Sequence, residues 1–311
     1  MERRFDAEEK YPLVQVLVST YNGEKYLREQ IESLLHQTYP RVGILVRDDG
    51  SSDGTADLLK AYEAKGLIRC IFGKNTGVIS SFFTLLQEAD NAAEYFAFCD
   101  QDDVWLPEKL EKAIKALSGC GSEGPLLYCG TPGLADEDLI PLKRRIPWKI
   151  RRISFGNALV QNICTGCTAV FDRKLRDLAA QQKPSDAVMH DWWLYLVASC
   201  FGHVIYDENV PILYRQHGDN ASDTLVTRKQ LVLYRFKRIL EGGGKIFPQI
   251  RDFNKIYAGQ MSMRQKYLVR MLLKAERPGW NRLRAVFSRQ CYRQKISDDI
   301  IYRFAMLIGR L

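Results

Sequence analysis

Four alternations of a short apolar run with a helix-like segment, all within the first hundred residues, constrain the fold more than any other feature. The apolar runs are residues 14–18, 44–46, 68–72 and 95–99. Between them lie polar turns and segments such as 27–35, whose apolar residues recur at helical spacing. Strands that alternate with helices predict a parallel sheet with helices on both faces. We therefore predict an α/β fold with a mostly parallel sheet.

Polar side chains stand at the carboxyl ends of these predicted strands. They are Thr20, Asp48, Lys74, Asn75, Asp100 and Asp102. In open α/β sheets, ligands bind outside the carboxyl ends of the strands. One site built from four loops would explain these side chains together, and the alternative is a set of unrelated, solvated turns.

The fourth strand runs into three carboxylates, Asp100, Asp102 and Asp103. Their mutual repulsion raises the free energy of the folded state unless a cation, an arginine or open solvent offsets it. A hard divalent ion such as Mg²⁺ or Mn²⁺ takes oxygen ligands and can share its coordination shell with phosphates. The segment thus indicates a metal site, and the alternative is an acidic turn that caps the helix beginning near Pro107.

A second candidate segment begins at His190 and Asp191 and continues into Trp192 and Trp193. Two interpretations of Asp191 are open. It is either a helix cap stabilised by the helix dipole or a general base beside two tryptophans that form a sugar platform. At the first strand end, Asn22 is a candidate N-cap of the following helix.

The basic charge of the chain is concentrated in its last part. The net charge is +8, and residues 225–311 carry 20 Lys and Arg against 5 Asp and Glu. Segments 231–240 and 266–274 mix apolar and basic residues, and glycines at 242–244 and the Pro-Gly pair at 278–279 separate the helices. Basic amphipathic helices with aromatic residues predict contact with an anionic membrane surface, and the alternatives are a helical packing domain or a dimer contact. No recognition motif accompanies the charge, so we expect no nucleic-acid binding.

The composition predicts two regions, a larger domain over residues 1–224 and a basic, mainly helical region over 225–311. Residues 1–12 are polar and charged, which predicts no signal peptide, and no run approaches the roughly 20 apolar residues of a membrane span. We expect a cytoplasmic protein that is peripheral on the inner face of the plasma membrane.

Six motifs, in order along residues 13–220, carry a resemblance to a known family. They are Val-Ser-Thr-Tyr-Asn-Gly (18–23), Arg-Asp-Asp-Gly-Ser-Ser-Asp-Gly (47–54), Asn-Thr-Gly-Val (75–78), Asp-Gln-Asp-Asp-Val-Trp (100–105), His-Asp-Trp-Trp (190–193) and Tyr-Arg-Gln-His (214–217). Together they resemble a family 2 glycosyltransferase of the GT-A fold. The fourth and sixth motifs resemble the bacterial rhamnosyltransferase branch.

The resemblance implies a Rossmann-like GT-A domain, with a mixed, mostly parallel sheet flanked by helices, and a C-terminal helical extension. It implies a metal-dependent, inverting enzyme that transfers L-rhamnose from dTDP-L-rhamnose to a cell-surface polysaccharide or a lipid-linked glycan. Two alternatives stay open, a UDP-hexose-dependent glycosyltransferase of the same fold and a non-catalytic nucleotide-binding module. Each of these three interpretations is compatible with an oligomer.

The resemblance also implies roles for single residues. The expected contacts to the nucleotide sugar are Thr20, Tyr21, Asn22, Asp48, Asn75, Gly77, Asp100 and Gln101. Asp48 would accept a hydrogen bond from the pyrimidine N3–H. Asp102 would bind Mg²⁺ or Mn²⁺, with His217 as a second ligand or a diphosphate contact, and Asp191 would be the catalytic base.

Other positions in and near these motifs carry structural expectations. Asp103 is expected to cap a helix or pair with an arginine, and Trp105 and His190 are expected to be structural. The chain departs from the family pattern at Lys74 and at Cys129-Gly130.

Overall fold

The computed structural model of the protein describes residues 11–142, 150–217 and 246–311. Within these residues the chain forms one sheet of eight strands. The strands are β1 (Val14–Thr20), β2 (Val42–Asp48), β3 (Arg69–Phe72), β4 (Tyr95–Cys99), β5 (Val104–Trp105), β6 (Leu126–Ala135), β7 (Val170–Asp172) and β8 (His203–Arg215). Their order across the sheet is β3-β2-β1-β4-β7-β6-β8-β5.

The helices of the described residues follow the predicted alternation in the first half of the chain. They are α1 (Leu27–Leu35), α2 (Thr55–Ala64), α3 (Val78–Glu88), α4 (Lys109–Ser118), α5 (Phe155–Ala158), α6 (Arg173–Ala180), α7 (His190–Phe201), α8 (Ile246–Tyr257), α9 (Met263–Ala275), α10 (Trp280–Val286) and α11 (Ile296–Leu307). A single turn of 3-10 helix spans Gly166–Thr168.

The predicted parallel sheet is confirmed for β1 to β4. β1 pairs in parallel with β2 and with β4, and β2 pairs in parallel with β3. The side chains of Val14, Val16, Leu17 and Val18 are all fully buried. Such a continuous apolar strand is typical of a parallel sheet covered on both faces. The register aligns Thr20 with Asp48, so both strands end at the same edge.

The other half of the sheet is mixed. β7 pairs antiparallel with β4 and β6, β8 runs parallel to β6, and β5 pairs antiparallel with β8. The last strand, β8, is continuous over 13 residues. The β6–β8 register shifts beyond Gly130, where an added Cβ would lie 1.9 Å from the Asp207 carbonyl oxygen. This close approach is the physical reason for glycine at one of the positions that depart from the family pattern.

The chain divides into two compact units. Unit 1 comprises residues 1–146, 164–181 and 202–217, and it contains the whole sheet. Unit 2 comprises residues 147–163, 182–201 and 218–311. Segments 147–163 and 182–201 thus group with the C-terminal helices. The expected boundary at residue 224 lies outside the described residues and stays a prediction.

The interior of unit 2 is built on α7 and α8. Trp193 of α7 is fully buried, and its ring centre lies 5.7 Å from that of Phe253 in α8. The Tyr195 hydroxyl donates to Asn157 Oδ1 at 2.8 Å, and Asn157 Nδ2 donates to the carbonyl oxygen of Tyr292. Aromatic packing and a buried polar network therefore join segments that are distant in sequence.

The structure describes only one of the two helical segments expected near the end of the chain. The segment 266–274 lies within α9, and the chain leaves helix at Pro278-Gly279 as expected. Segment 231–240 and the glycines at 242–244 lie outside the described residues. Among the helices that the structure describes, none combines the length and the apolar character that crossing a membrane requires.

Candidate active site

The carboxyl ends of the parallel strands of unit 1 form one edge that carries most of the expected site residues. Thr20 aligns with Asp48, Asp48 aligns with Phe72, and Val18 aligns with Cys99, the residue before Asp100. The loops after β1, β2, β3 and β4 therefore leave the sheet side by side. This confirms that the strand ends meet, while the ligand contacts of the single residues stay predictions.

Gln101 ties two of these loops together. The Thr20 hydroxyl and the Tyr21 backbone N–H both donate to Gln101 Oε1, at 2.7 and 2.8 Å. In return, Gln101 Nε2 donates to the Tyr21 carbonyl oxygen at 3.2 Å. The side chain of Gln101 thus bonds the β1 loop much as a neighbouring strand would. It fixes the position of the acidic turn relative to the first loop.

Asn22 belongs to the same loop, but it is not the N-cap of α1, which is Tyr26. Asn22 has a φ of 49°, a left-handed conformation that asparagine tolerates better than most residues. Its backbone N–H donates to Ser51 Oγ at 2.9 Å, and its Oδ1 accepts from the Ser52 N–H at 2.8 Å. Asn22 therefore joins the β1 loop to the β2 loop, and the exposed ring of Tyr21 stands beside it.

Asp48 is the expected pyrimidine contact, and only 3% of its surface is exposed. Its carboxylate accepts hydrogen bonds from the hydroxyl of Ser51 and, at 3.3 Å, from the Ser51 backbone N–H. These bonds hold the carboxylate at the strand end. A carboxylate has about four acceptor sites, so this arrangement leaves capacity for a further donor.

Asp49 was not among the expected site residues, yet it organises the neighbouring loop. It forms an ion pair with Arg47 and accepts hydrogen bonds from the backbone N–H groups of Thr76 (2.9 Å) and Gly77 (2.8 Å). Burial alone would raise the pKa of Asp49, but the Arg47 hydrogen bond and the two N–H groups outweigh burial and hold that pKa below its ordinary value. Both aspartates are buried, and no feature of the sequence indicates that Asp49, rather than Asp48, holds this loop.

Asn75 and Gly77 lie in the loop that Asp49 holds. Asn75 Oδ1 accepts a hydrogen bond from the Gly77 N–H at 3.1 Å. Gly77 has a φ of 81° immediately before α3, a conformation that favours glycine. Both residues are exposed at this edge. The hydrogen bonds to Asp49 and the bond within the loop therefore hold the backbone that carries the Asn75 side chain.

Asp102 and His217, the two expected metal ligands, lie next to each other. His217 Nε2 is 2.9 Å from Asp102 Oδ2, and 10% and 20% of the respective side-chain surfaces are exposed. An octahedral ion with ligands at about 2.1 Å has adjacent ligand atoms about 3 Å apart. The separation fits a hydrogen bond and fits two neighbouring positions around such an ion. The donor set of these residues is therefore compatible with Mg²⁺ or Mn²⁺.

Arg215 holds the backbone beside this pair. Its Nε donates to the carbonyl oxygen of Asp102 at 2.8 Å, and its guanidinium forms an ion pair with Glu29 and lies 4.5 Å from the centre of the Tyr26 ring. The antiparallel pairing of β5 with β8 brings these elements together. The short strand β5 is therefore what carries the acidic turn to the end of β8.

Asp103 points away from this pair into the interior. It is fully buried, and Oδ1 accepts from the backbone N–H of Arg215 at 3.1 Å, so it neither caps α4 nor pairs with the guanidinium. Burial, followed by repulsion from Asp102 and Asp100, raises the pKa of Asp103 well above its ordinary value. Its carboxylate, that of Asp100 and the Cys167 sulfur have ligand atoms within 4.8 Å of one another. We expected a helix cap or an arginine pair, and the fold supplies a backbone N–H as the partner of Asp103 instead.

Lys109 lies beside this cluster and was also missed. It is fully buried, its Nζ donates to the Cys167 carbonyl oxygen at 2.7 Å, and it lies 2.8 Å from the centre of the Trp105 ring. Burial lowers the pKa of Lys109 to about 7. Trp105 is 2% exposed, which confirms its structural role. Nothing in the sequence marks this lysine, because its burial depends on segments 58 residues apart.

Asp191, the expected base, belongs to unit 2. It lies in the first turn of α7, is 8% exposed and accepts a hydrogen bond from the Trp192 N–H at 2.6 Å. The expected tryptophan platform is wrong for Trp193, which is fully buried against Phe253. Trp192 Nε1 donates to the Ala158 carbonyl oxygen at 2.7 Å. Both tryptophans thus help to pack unit 2.

His190 opens the same helix. It is 4% exposed, and burial lowers its pKa to about 3. The imidazole is therefore neutral at physiological pH. This agrees with the structural role that we expected for it.

Comparison with known proteins supports the family resemblance of the sequence motifs. The family model described as Glycosyl transferase family 2 matches residues 15–178. An uncharacterized glycosyltransferase of Rickettsia typhi is 28% identical over 222 residues, which cover 70% of this chain and 68% of that protein. The dTDP-rhamnosyl transferase RfbG of Shigella flexneri is 27% identical over 240 residues, 71% of this chain and 78% of that protein.

Among solved structures, the likeness is in the fold. The crystal structure of S. aureus TarS 1-349 in complex with UDP-GlcNAc superposes with a TM-score of 0.53 at 15% identity, over 94% of this chain and 90% of that one. The mostly parallel sheet with flanking helices is the GT-A arrangement expected from the motifs. The family match covers more than half of the chain and contains four of the six motifs. The chain therefore belongs to glycosyl transferase family 2, as an enzyme that uses nucleotide sugars.

Proposed function

We propose that this protein is a metal-dependent, inverting glycosyltransferase that transfers L-rhamnose from dTDP-L-rhamnose to a lipid-linked or cell-surface glycan. The observation that carries the metal-dependent part is the 2.9 Å separation of Asp102 and His217 at the edge where the loops after β1, β2 and β4 meet. The rhamnose donor is supported by the similarity to RfbG and by the resemblance of two motifs to the rhamnosyltransferase branch.

The proposed roles of the binding residues come from the family resemblance, and their positions at the strand ends support these roles. Asp48 would accept the N3–H of the pyrimidine, and Tyr21 would cover the base with its exposed ring. Asn75 and Gly77 would contact the nucleotide or the sugar, and Asp100 the ribose or the sugar. Gln101 would hold the β1 loop in position. Because uracil and thymine share the N3–H group, Asp48 cannot separate a UDP-sugar from a dTDP-sugar.

The metal would be held by Asp102 and His217. A bound Mg²⁺ or Mn²⁺ would act as a Lewis acid on the diphosphate, whose negative charge grows as the bond to the sugar breaks. Asp102 and His217 would orient that diphosphate toward the acceptor side. Arg215 holds the backbone of Asp102 and is itself anchored by its ion pair with Glu29.

Asp191 would act as the general base. It would take the proton of the acceptor hydroxyl as the new bond to the anomeric carbon forms and the bond to the diphosphate breaks, which inverts that carbon in one displacement. Such proton removal contributes about 10² to 10⁴ in rate. No covalent intermediate is needed.

Two further proposals concern where the reaction takes place. Residues 1–224 would carry the donor site, and the basic region 225–311 would serve the acceptor. We also propose that the enzyme works in the cytoplasm at the inner face of the plasma membrane. The support is the excess of 20 basic over 5 acidic residues in the second region.

The donor is tested by calorimetric titration with dTDP and with UDP, each with Mn²⁺ and with EDTA, followed by turnover of dTDP-L-rhamnose, UDP-glucose and UDP-galactose. Metal-dependent binding of dTDP and turnover of the rhamnose donor are the expected results. Turnover of a UDP-hexose alone would replace the donor with the alternative. Absence of binding to either nucleotide would indicate the non-catalytic module.

The base is tested with Asp191→Asn, and Asp186→Asn is the control because Asp186 is an exposed acid of the same unit. Asp191→Asn should lower kcat at least a hundredfold and leave the dissociation constant of the donor within twofold. Asp186→Asn should change neither value. Full turnover of Asp191→Asn would show that another group removes the proton.

A further inference from the structure

A basic groove lies between α9 and α10 of unit 2. It has a volume of about 290 Å³. Lys266, Arg270 and Lys274 line it at intervals of four residues along α9, and Arg284 lines it from α10. Residues four apart lie on one side of a helix, so the three α9 side chains form a row. The guanidinium of Arg284 lies 5.5 Å from the centre of the Tyr267 ring, which also lines the groove.

These cations differ from other basic residues of the same unit. Arg251 forms an ion pair with Glu276, and Arg303 forms one with Asp299. Arg282 donates to the carbonyl oxygens of Ala275 and Glu276. Within the described part of the chain, none of the four groove cations makes an ion pair with an acidic side chain.

The charge of the groove favours an anion from outside the protein. Four cations close together repel one another, and salt only partly screens that repulsion. An anionic partner would remove it. Segment 246–311 carries few acids, namely Asp252, Glu276, Asp298 and Asp299, and two of these already pair with arginines. A second copy of this region therefore offers little complementary charge.

Large apolar side chains are exposed next to the groove in sequence. On α10 and directly after it, Trp280 is 78% exposed, Leu283 is 38% exposed and Phe287 is 77% exposed. The spacings of three and four residues place them along one side of the chain in helical geometry. On α11, Ile296 (66%) and Ile300 (62%) are exposed four residues apart. A soluble anion such as free phosphate would need only the cations, and it would leave these apolar groups in water.

We propose that the α9–α10 groove, together with Trp280 and Phe287, docks the protein onto a bilayer that contains anionic phospholipid. Lys266, Arg270, Lys274 and Arg284 bind headgroup phosphates, while the tryptophan and phenylalanine rings enter the interface. The purpose of this contact rests on the proposed function, because it would bring the enzyme to a lipid-linked acceptor. The contact itself is measured without donor or acceptor, so its failure and that of the proposed function are distinguishable.

The test is co-sedimentation of the full chain with vesicles of pure phosphatidylcholine and with vesicles containing 30% phosphatidylglycerol. The groove variant is Lys266→Gln/Arg270→Gln/Lys274→Gln. The matched control, Arg264→Gln/Arg277→Gln/Arg289→Gln, removes the same charge from exposed residues that do not line the groove. A third variant, Trp280→Ala/Phe287→Ala, removes the exposed rings. Circular dichroism verifies that each variant is folded.

We expect the native chain to bind the anionic vesicles only, and 0.5 M NaCl to weaken that binding. A basic residue near an anionic surface contributes about fivefold, so the groove variant should lose about a hundredfold in partition coefficient and the control less than tenfold. The ring variant should lose at least tenfold.

Three results would overturn the proposal. Equal losses in the groove variant and the control would show a diffuse charge effect without a docking site. Full displacement by 20 mM inorganic phosphate at constant ionic strength, with no loss in the ring variant, would identify a site for soluble phosphate. A dimer in light scattering that disappears only in the ring variant, with no vesicle binding by the native chain, would identify an interface between two copies.

Discussion

The buried ion pair between Arg47 and Asp49 predicts a large loss of stability when Asp49 becomes neutral. Only 6% of the Arg47 and 4% of the Asp49 side-chain surface is exposed. In Asp49→Asn, the guanidinium loses its anion in a site that water hardly reaches. Arg47 retains two longer hydrogen bonds, each 3.3 Å, to the carbonyl oxygen of Lys74 and the hydroxyl of Thr76.

The magnitude follows from the contacts of Asp49. Breaking a buried pair by removing one partner costs about 3 to 5 kcal/mol. The amide oxygen of asparagine can still accept one of the N–H bonds from Thr76 and Gly77, so we expect the lower end, about 3 kcal/mol. With a urea dependence of about 3 kcal/mol per M for a chain of this size, the midpoint should fall by about 1 M.

The assay is urea unfolding followed by tryptophan fluorescence. The control is Asp57→Asn, because the Asp57 side chain is 87% exposed and pairs with Lys60 on the surface of α2. The control should change the free energy of unfolding by less than about 0.5 kcal/mol. In a double-mutant cycle of Asp49→Asn and Arg47→Met, the double variant should lose less free energy of unfolding than the two single variants lose together, because it leaves no buried charge without a partner.

The pH dependence of the same variant gives an independent measurement. The folded pKa of Asp49 is lowered from its ordinary value of 3.8. The contribution of Asp49 is therefore fully present above pH 3.8 and is lost as the pH falls through the folded pKa. The difference between the native chain and Asp49→Asn should shrink below about pH 4. A loss under 1 kcal/mol at pH 7, or strict additivity in the cycle, would refute this account of the loop.

Three further predictions concern other parts of the two units. Asp102→Asn should lower the affinity for the nucleoside diphosphate in Mn²⁺ at least tenfold, to the value in EDTA. Glu108→Gln, which changes an exposed neighbour, should keep the metal dependence. A metal dependence that survives in Asp102→Asn would contradict the metal site. His190 has a folded pKa of about 3 against 6.5, so its contribution to stability is lost as the pH falls below 6.5. By pH 4 this loss should reach about 3 kcal/mol. In denaturant titrations, the free energy of unfolding of His190→Gln should therefore depend less on pH than that of the native chain. Lys109→Met should destabilise unit 1 by about 1 to 3 kcal/mol in thermal or urea unfolding, because the buried carbonyl oxygen of Cys167 loses its donor, and an unchanged midpoint would contradict that role of Lys109.

The parallel half of the sheet and the meeting of its loops could be predicted from the sequence. Strands β1 to β4 are evenly separated by helices, and that local pattern specifies their parallel direction, although it does not specify that β4 pairs with β1 rather than with β3. The strand ends then follow from topology alone. This is why Thr20 and Asp48 could be assigned to one edge before the register was known.

The mixed half of the sheet could not be predicted in the same way. β5 has two residues, too few for any periodicity, yet its pairing with β8 places Asp102 beside His217. Only the resemblance to a family pointed to that histidine. Residues 207–209 are polar, and the structure accommodates them inside the long strand β8.

The buried charges of Asp49 and Lys109 escaped prediction for a different reason. A sequence shows a charged residue, but its burial depends on partners that the fold brings from elsewhere. Asp49 is held by a loop 27 residues away, and Lys109 by a carbonyl 58 residues away. No pattern in the sequence marks Thr76 and Gly77, or the Cys167 carbonyl group, as partners of these two side chains. Tertiary contacts alone identify these side chains as internal.

The hydrogen bonds of Gln101 couple the β1 loop to the acidic turn. Gln101 stands between Asp100 and Asp102, and its amide is bonded on both sides to the β1 loop that carries Tyr21. A ligand that orders the β1 loop therefore also orders the acidic turn, and an ion that orders the turn also orders the loop. With the metal and nucleotide contacts proposed above, such reciprocity would make the two ligands bind cooperatively, even for a nucleoside that has no phosphate to reach the metal.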